Sequence, residues 1–329
     1  MFFFCRLITC ALCFLLATCT GNIKHSESIN AFIEHMAVTH QFNKSELESL
    51  FKSVEIKDEI IKKMTSPAES LPWFKYRKIF MTDSRVNEGV KFWRQNEKAL
   101  SAVEQQYGVP AQIIIAIIGV ETFYGKNTGK YRVIDALSTL AFAYPPRSKF
   151  FLGELESFLL LCREEQMNPL EPIGSYAGAM GMPQFMPSSF RAYATDFENK
   201  DGRRDIWHDN EDIIASIGNY FAKHGWQKDQ SIAFAATENE SDTPDSIDDL
   251  KPDLRIEELQ SLILKISRSV PLNTKVKLLG LKQEHGEELW ATLDNFYVIT
   301  RYNHSPLYAM AVYQLSQALS NKKHTSSYE

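Results

Sequence analysis

Glu121 closes an apolar run, PAQIIIAIIGVETFYG over residues 110–125, and is the side chain most suited to acid–base work. Between Ile113 and Val120 the run has no polar residue. A helix that is apolar all round is buried, and a run this short cannot span a bilayer. Glu121 follows Ile118, Ile117 and Ile114 by three, four and seven positions, so it shares their face. A carboxyl held there loses hydration and should keep its proton to higher pH. That suits a general acid near neutrality. The competing reading is a solvated Glu at a fraying helix end.

Two further stretches could bind ligands. Residues 174–187, GSYAGAMGMPQFMP, hold too much Gly and Pro for a helix. There Ser175 and the glycines allow close backbone approach, Gln184 offers donors and acceptors, and Tyr176 and Phe185 offer flat faces for sugar rings. The alternative is a purely structural Gly-rich loop. Residues 196–205, DFENKDGRRD, resemble a calcium loop in which alternate oxygen ligands precede a Gly. One residue too many precedes Gly202, and Asp212 could close the set. The alternative there is a solvated polar turn.

No His/Cys spacing suits zinc, and the eight His read as surface or packing residues. P-loop, dinucleotide-binding and G-x-S-x-G signatures are missing. A net charge of -5 and a pI near 6.0 give no footprint for nucleic acid. Four of the five Cys lie before residue 20, leaving Cys162 as a core hydrophobe and no disulfide framework. Arg6 followed by apolar Leu7–Ala17 reads as a secretory leader over residues 1–18. The segment Leu16-Ala17-Thr18-Cys19 resembles a lipobox with Cys19 acylated, Thr18 departing from the usual Gly or Ala. Export to the periplasm is expected, with an outer-membrane lipid anchor as its extension.

The elements that must position these groups follow in order. Residues 19–28 read as a tether. Residues 29–109 read as a helical N-terminal domain, including Ile29–Met36, a helix capped by Asn43, and one long helix over Ser84–Tyr107. Residues 110–226 form the core, completed by 299–320. Within it Phe151, Leu155, Phe158, Leu159 and Cys162 make an apolar stripe opposite a solvated face of Glu154 and Glu156. Residues 227–298 read as a small antiparallel module with strands at Ile232–Ala236, Lys275–Leu278, Glu287–Ala291 and Phe296–Ile299, and a helix at Ile256–Ile266. A helix runs from Ser305 to Leu319, and 321–329 read as a disordered tail.

Ordered motifs then point to a family: GVET with Tyr124-Gly125, DALSTL at 135–140, YPPR at 144–147, GELE at 153–156, GAMG with QFMPSS, NYFAKHGW at 219–226 and TRYNHS at 300–305. From about Asn30 to Leu319 the chain resembles the membrane-bound lytic murein transglycosylase B family. The resemblance implies an α+β, mostly α fold with a lysozyme-like core. It implies cleavage of peptidoglycan between N-acetylmuramic acid and N-acetylglucosamine, with 1,6-anhydro ends and Glu121 as acid, then base. It assigns sugar contacts to Arg147, Ser175, Gln184, Phe185, Tyr220, Tyr302, Asn303 and Tyr308. It maps a structural Ca2+ onto Asp196, Glu198, Asp201, Arg203 and Asp212, with no cofactor needed for the chemistry. Asn96 stands where the family has a cleft tyrosine, and Pro146 replaces an arginine. A monomer acting on glycan strands is expected. Two rivals stay open: a hydrolase using Asp135 or Glu154 as second acid, and a non-catalytic wall-binding protein.

Overall fold

A computed structural model describes residues 26–65, 71–199, 201–237, 250–260, 265–266 and 270–325. The leader, Cys19 and the first part of the tether lie outside the described residues, as do 238–249 and 326–329. In chain order the helices begin α1 (26–40), α2 (Lys44–Lys52), α3 (Asp58–Met64), α4 (Trp73–Phe80), α5 (Asp83–Gln95), α6 (Glu97–Tyr107) and α7 (Ala111–Thr122). Then come β1 (Tyr131–Arg132), α8 (Val133–Ala143), α9 (Ser148–Glu164), β2 (Ile173–Gly174), α10 (Pro187–Tyr193) and α11 (Asn210–Lys223). The chain continues through β3 (Ala233–Thr237), β4 (Leu254–Arg255), α12 (Ile256–Gln260), β5 (Lys265–Ile266), β6 (Lys275–Lys282) and β7 (Glu287–Thr292). It ends with α13 (Asp294–Tyr302) and α14 (Pro306–Thr325).

Two compact units share these elements. The first takes Met1–Ser66, Gly129–Ala179 and Met186–Ser188; the second takes Pro67–Thr128, Met180–Phe185 and Ser189–Glu329. Among the described residues, 71–109 therefore belong with α7, not with 29–65. In the first unit α8 packs on α9 and α3. The α9 stripe is buried as its period predicts, and burial pushes the Cys162 thiol up to about 12. Glu154 departs from expectation. It is buried, and its carboxylate accepts from the Ser188 N–H at 2.9 Å and hydroxyl at 2.6 Å. Asp135 is buried too, paired with Arg132 at 2.7 Å and accepting from the Glu55 N–H at 3.0 Å.

In the second unit α7 lies against α14, α5, α6 and α11, and every residue from Ile113 to Val120 is buried. Pro110 is the N-cap, and the helix begins at Ala111. The long helix expected over 84–107 is two helices, because Asn96 leaves helical geometry at φ -120 and ψ 23. Its side-chain amide donates to the Phe92 carbonyl, offering the backbone an alternative to the helix ladder. The sheet runs β4-β6-β7-β3-β5, each described pairing antiparallel. Phe234, Ile256, Val276, Ala291 and Leu293 make its core.

Phe296–Ile299 is helical, not a strand. Asn295 forces the turn: its side chain accepts from the Gln227 N–H and donates to the carbonyls of Gln227 and Gln230. Phe296, Ile299 and Thr300 then repeat at helical spacing on the buried side. The helix expected over 256–266 stops at Gln260, and Lys265–Ile266 pairs with β3 instead. α14 continues to Thr325, beyond the expected end, with Lys323 bonded to Glu97 at 2.7 Å. Among the described residues, no helix is long and apolar enough to cross a membrane.

Candidate active site

α7 stops abruptly behind Glu121. The Phe123 N–H donates to the Gly119 carbonyl and the Tyr124 N–H to the Ile118 carbonyl, closing the helix. Phe123, Tyr124 and Gly125 all take left-handed backbone, at φ 52, 58 and 83. The reversal begins two residues before Gly125, at positions where side chains are disfavoured. Packing holds it there. Thr122 Oγ1 donates to the Met182 carbonyl at 3.1 Å and accepts from the Gly125 N–H at 3.1 Å. The turn around Gly181 is thereby fixed to the residue next to Glu121.

Arg85 was invisible to sequence reasoning, since nothing in its neighbourhood links it to α7. Its Nε donates to the Gly119 carbonyl at 3.0 Å, and its guanidinium lies 4.9 Å from the Phe123 ring centre. A cation at a helix C-terminus offsets the negative end of the dipole. Tyr124 does leave a sequence signal, in the glycines it needs inside two helices. A Cβ at Gly89 would lie 2.3 Å from the Tyr124 hydroxyl, and one at Gly119 2.6 Å.

Glu121 is partly exposed, so a ligand can reach it, while the protein packed around it strips much of its hydration. That desolvation raises its pKa from 4.5 to about 7. The Tyr308 hydroxyl opposes the shift by donating to Glu121 Oε1 at 2.6 Å. Near pH 7 the carboxyl therefore holds and releases its proton with similar ease. This is what one residue needs to serve as acid and then as base.

Behind it stands an aromatic group. Phe185 lies 5.7 Å from the Tyr220 ring and 5.8 Å from that of Tyr302. Phe185 is buried, so it supports these rings instead of offering a face to sugar. The Tyr220 hydroxyl donates to the Arg301 carbonyl, and that of Tyr302 to the Pro183 carbonyl at 2.6 Å. Gln184, at φ 54, uses its amide nitrogen on the carbonyls of Thr128 and Gly181. Asn303 accepts from the Ser305 N–H just before α14.

Arg147 and Ser175 belong to the first unit. Arg147 stacks on Phe150 at 4.5 Å beside an open cavity of about 760 Å³. The Ser175 hydroxyl accepts from the N–H groups of Ala177 and Ala179, ordering its own loop.

The model of the family described as Transglycosylase SLT domain matches residues 24–317. The chain belongs to this family. Over 309 residues, 91% of this chain and 84% of the relative, it is 41% identical to membrane-bound lytic murein transglycosylase B of Escherichia coli strain K12. The crystal structure of soluble lytic transglycosylase SltB1 from Pseudomonas aeruginosa superposes with a TM-score of 0.85 at 45% identity, covering 90% of this chain and 99% of that one. The Escherichia coli lytic transglycosylase Slt35 in complex with calcium gives 0.83 at 42%, covering 90% and 93%. The fold is the lysozyme-like one of these transglycosylases, α+β and mostly α.

The carboxylates of this transglycosylase's acidic loop accept from the loop's own backbone N–H groups. Asp212 is buried, and its carboxylate oxygens accept from the Phe197 N–H at 2.7 Å and the Asp205 N–H at 2.9 Å. Burial raises its pKa despite these bonds, and the nearby Asp209 and Asp196 carboxylates add to the rise. Asp196 accepts from the Gly202 N–H at 2.8 Å, and Asp201 from the Arg203 N–H. The extra residue is absorbed at Phe197–Asn199, where the exposed Glu198 takes φ 60. Arg203 can contribute only its carbonyl oxygen.

Proposed function

We propose that this lytic transglycosylase cuts the bond between N-acetylmuramic acid and N-acetylglucosamine in peptidoglycan, with Glu121 alone as acid and base. Protonated Glu121 donates to the glycosidic oxygen as the bond to muramyl C1 breaks. The resulting carboxylate takes the proton of the C6 hydroxyl, whose oxygen bonds to C1 of the same sugar. The products are a free N-acetylglucosamine hydroxyl and a 1,6-anhydro end, with Glu121 again protonated. An intramolecular hydroxyl reaches effective molarities of about 10⁵ M or more, enough to outrun water.

The observation that carries this reading is the Glu121–Tyr308 contact on a carboxyl raised to about 7. Hydrolysis would need a second working carboxylate. Asp135 and Glu154, the two candidates, are buried and committed to Arg132, Glu55 and Ser188. Mass spectrometry of muropeptides tests the reading. Anhydro ends from the parent, and none from Glu121→Gln, are expected; products enlarged by water would overturn it.

Sugar contacts by Arg147, Ser175, Gln184, Tyr302 and Asn303 rest on the shared motifs, with the core assigned to 110–226 and 299–320, while Tyr220 and Tyr308 are buried like Phe185 and support the site from within. Asp196, Glu198, Asp201, the Arg203 carbonyl and Asp212 would hold Ca2+, which fixes the loop between α10 and α11 and takes no part in the chemistry. The leader and Cys19 support export and acylation, tested by the mass of the mature N-terminus.

A further inference from the structure

α1 and α9 of the first unit bring together side chains that the glycan chemistry leaves unused. His35 Nε2 lies 3.3 Å from Glu156 Oε2, and His40 Nε2 lies 2.7 Å from Glu156 Oε1. The ligand atoms of all three fall within 4.8 Å of one another, and no other such trio occurs among the described residues. We propose that His35, His40 and Glu156 form a Zn2+ site that ties α1 to α9.

Two imidazoles and one carboxylate, with water in the fourth position, are a donor set that zinc takes. Ligand atoms about 2.0–2.1 Å from a tetrahedral ion stand roughly 3.3 Å apart. The His35–Glu156 separation already matches at 3.3 Å. His40 faces the other oxygen, with Nε2 at 2.7 Å from Oε1, so both oxygens of Glu156 border the place of the ion and this contact opens as the ion enters. Two imidazoles gathered at one carboxylate place three zinc-type donors side by side.

The surroundings orient these ligands. Thr39 Oγ1 lies 3.2 Å from His35 Nδ1. With the ring proton on Nδ1 donated to Thr39, the Nε2 lone pair is left facing Glu156, as in metal-bound histidines generally. Arg163 Nη1 donates to the His40 carbonyl at 2.6 Å, and Gln41 at φ 57 ends the helix there. A cavity of about 560 Å³, lined in part by His35 and Glu156, gives access for the ion and its water.

The test titrates ZnCl2 by calorimetry into the full chain, stripped of transition metals and kept saturated with Ca2+. One saturable site is expected, weakened roughly tenfold or more in both His40→Ala and Glu156→Gln. Absence of saturable binding, or equal affinity in the parent and in the His35→Ala/His40→Ala double variant, would overturn the proposal. Because ligand variants could disturb α1, a second readout uses the parent alone. Anomalous diffraction at the zinc edge should give a peak between the three side chains, and a peak only elsewhere refutes the site. Release of anhydro ends is unaffected in either case, so failure here leaves the glycan reading standing.

Discussion

Glu121 has a folded-state pKa of about 7 against an ordinary 4.5. Between those values the native chain binds more protons than the unfolded one, so stability falls as pH rises through that window. The penalty is absent below about pH 4.5 and complete above about pH 7, where it reaches up to about 3 kcal/mol. Glu121→Gln should therefore melt higher than the parent at pH 8 and at the same temperature at pH 4, as differential scanning calorimetry would read. Tyr308→Phe removes a donor that favours the carboxylate. The descending limb of its pH–rate profile should shift to higher pH, with kcat reduced. The acid was legible in the sequence because the apolar run isolates it. Tyr308 came only through resemblance, since its partner lies far away in the chain and spacing carries no trace of it. The His35–His40–Glu156 group leaves no trace in the spacing for the same reason, since the third side chain comes from another helix.

At the scale of elements, the end of α7 and the turn at Gly181 act as a pair, joined by Thr122 and the Met182 carbonyl. Gly181 takes φ 65, and a Cβ there would meet the Ile206 carbonyl oxygen at 2.4 Å. Gly181→Ala should cost about 1–3 kcal/mol of stability and lower kcat/KM, measured by thermal melts beside turnover assays. Arg85→Ala should cost about 1–3 kcal/mol by leaving the Gly119 carbonyl with one donor fewer and removing the cation from the helix end. Helix positions were read well wherever apolar spacing was long and regular, as in α9. The misreadings fell where one polar side chain redirects the backbone, as Asn96 does between α5 and α6 and Asn295 does at the start of α13.

For the whole molecule, a cation held by the acidic loop would give a reversible handle on stability. A cation that binds only the native state stabilises in proportion to its excess over the dissociation constant. Calcium should raise the melting temperature, chelator should lower it, and Asp212→Asn should abolish the difference. Class and function were legible because many short motifs recur in order. The interleaving of two units was not, since it depends on which distant segments pack together. The reversal at Phe123–Gly125 has an outcome for anyone wishing to harden this enzyme against heat. Left-handed Phe123 and Tyr124, the unpartnered Tyr124 hydroxyl and the half-dehydrated carboxyl of Glu121 are all departures from comfort gathered around one turn. Selection for thermal endurance alone would act on these positions first, and a change at Glu121 among them removes the acid. Useful gains must be sought elsewhere in the chain, under a screen that scores turnover.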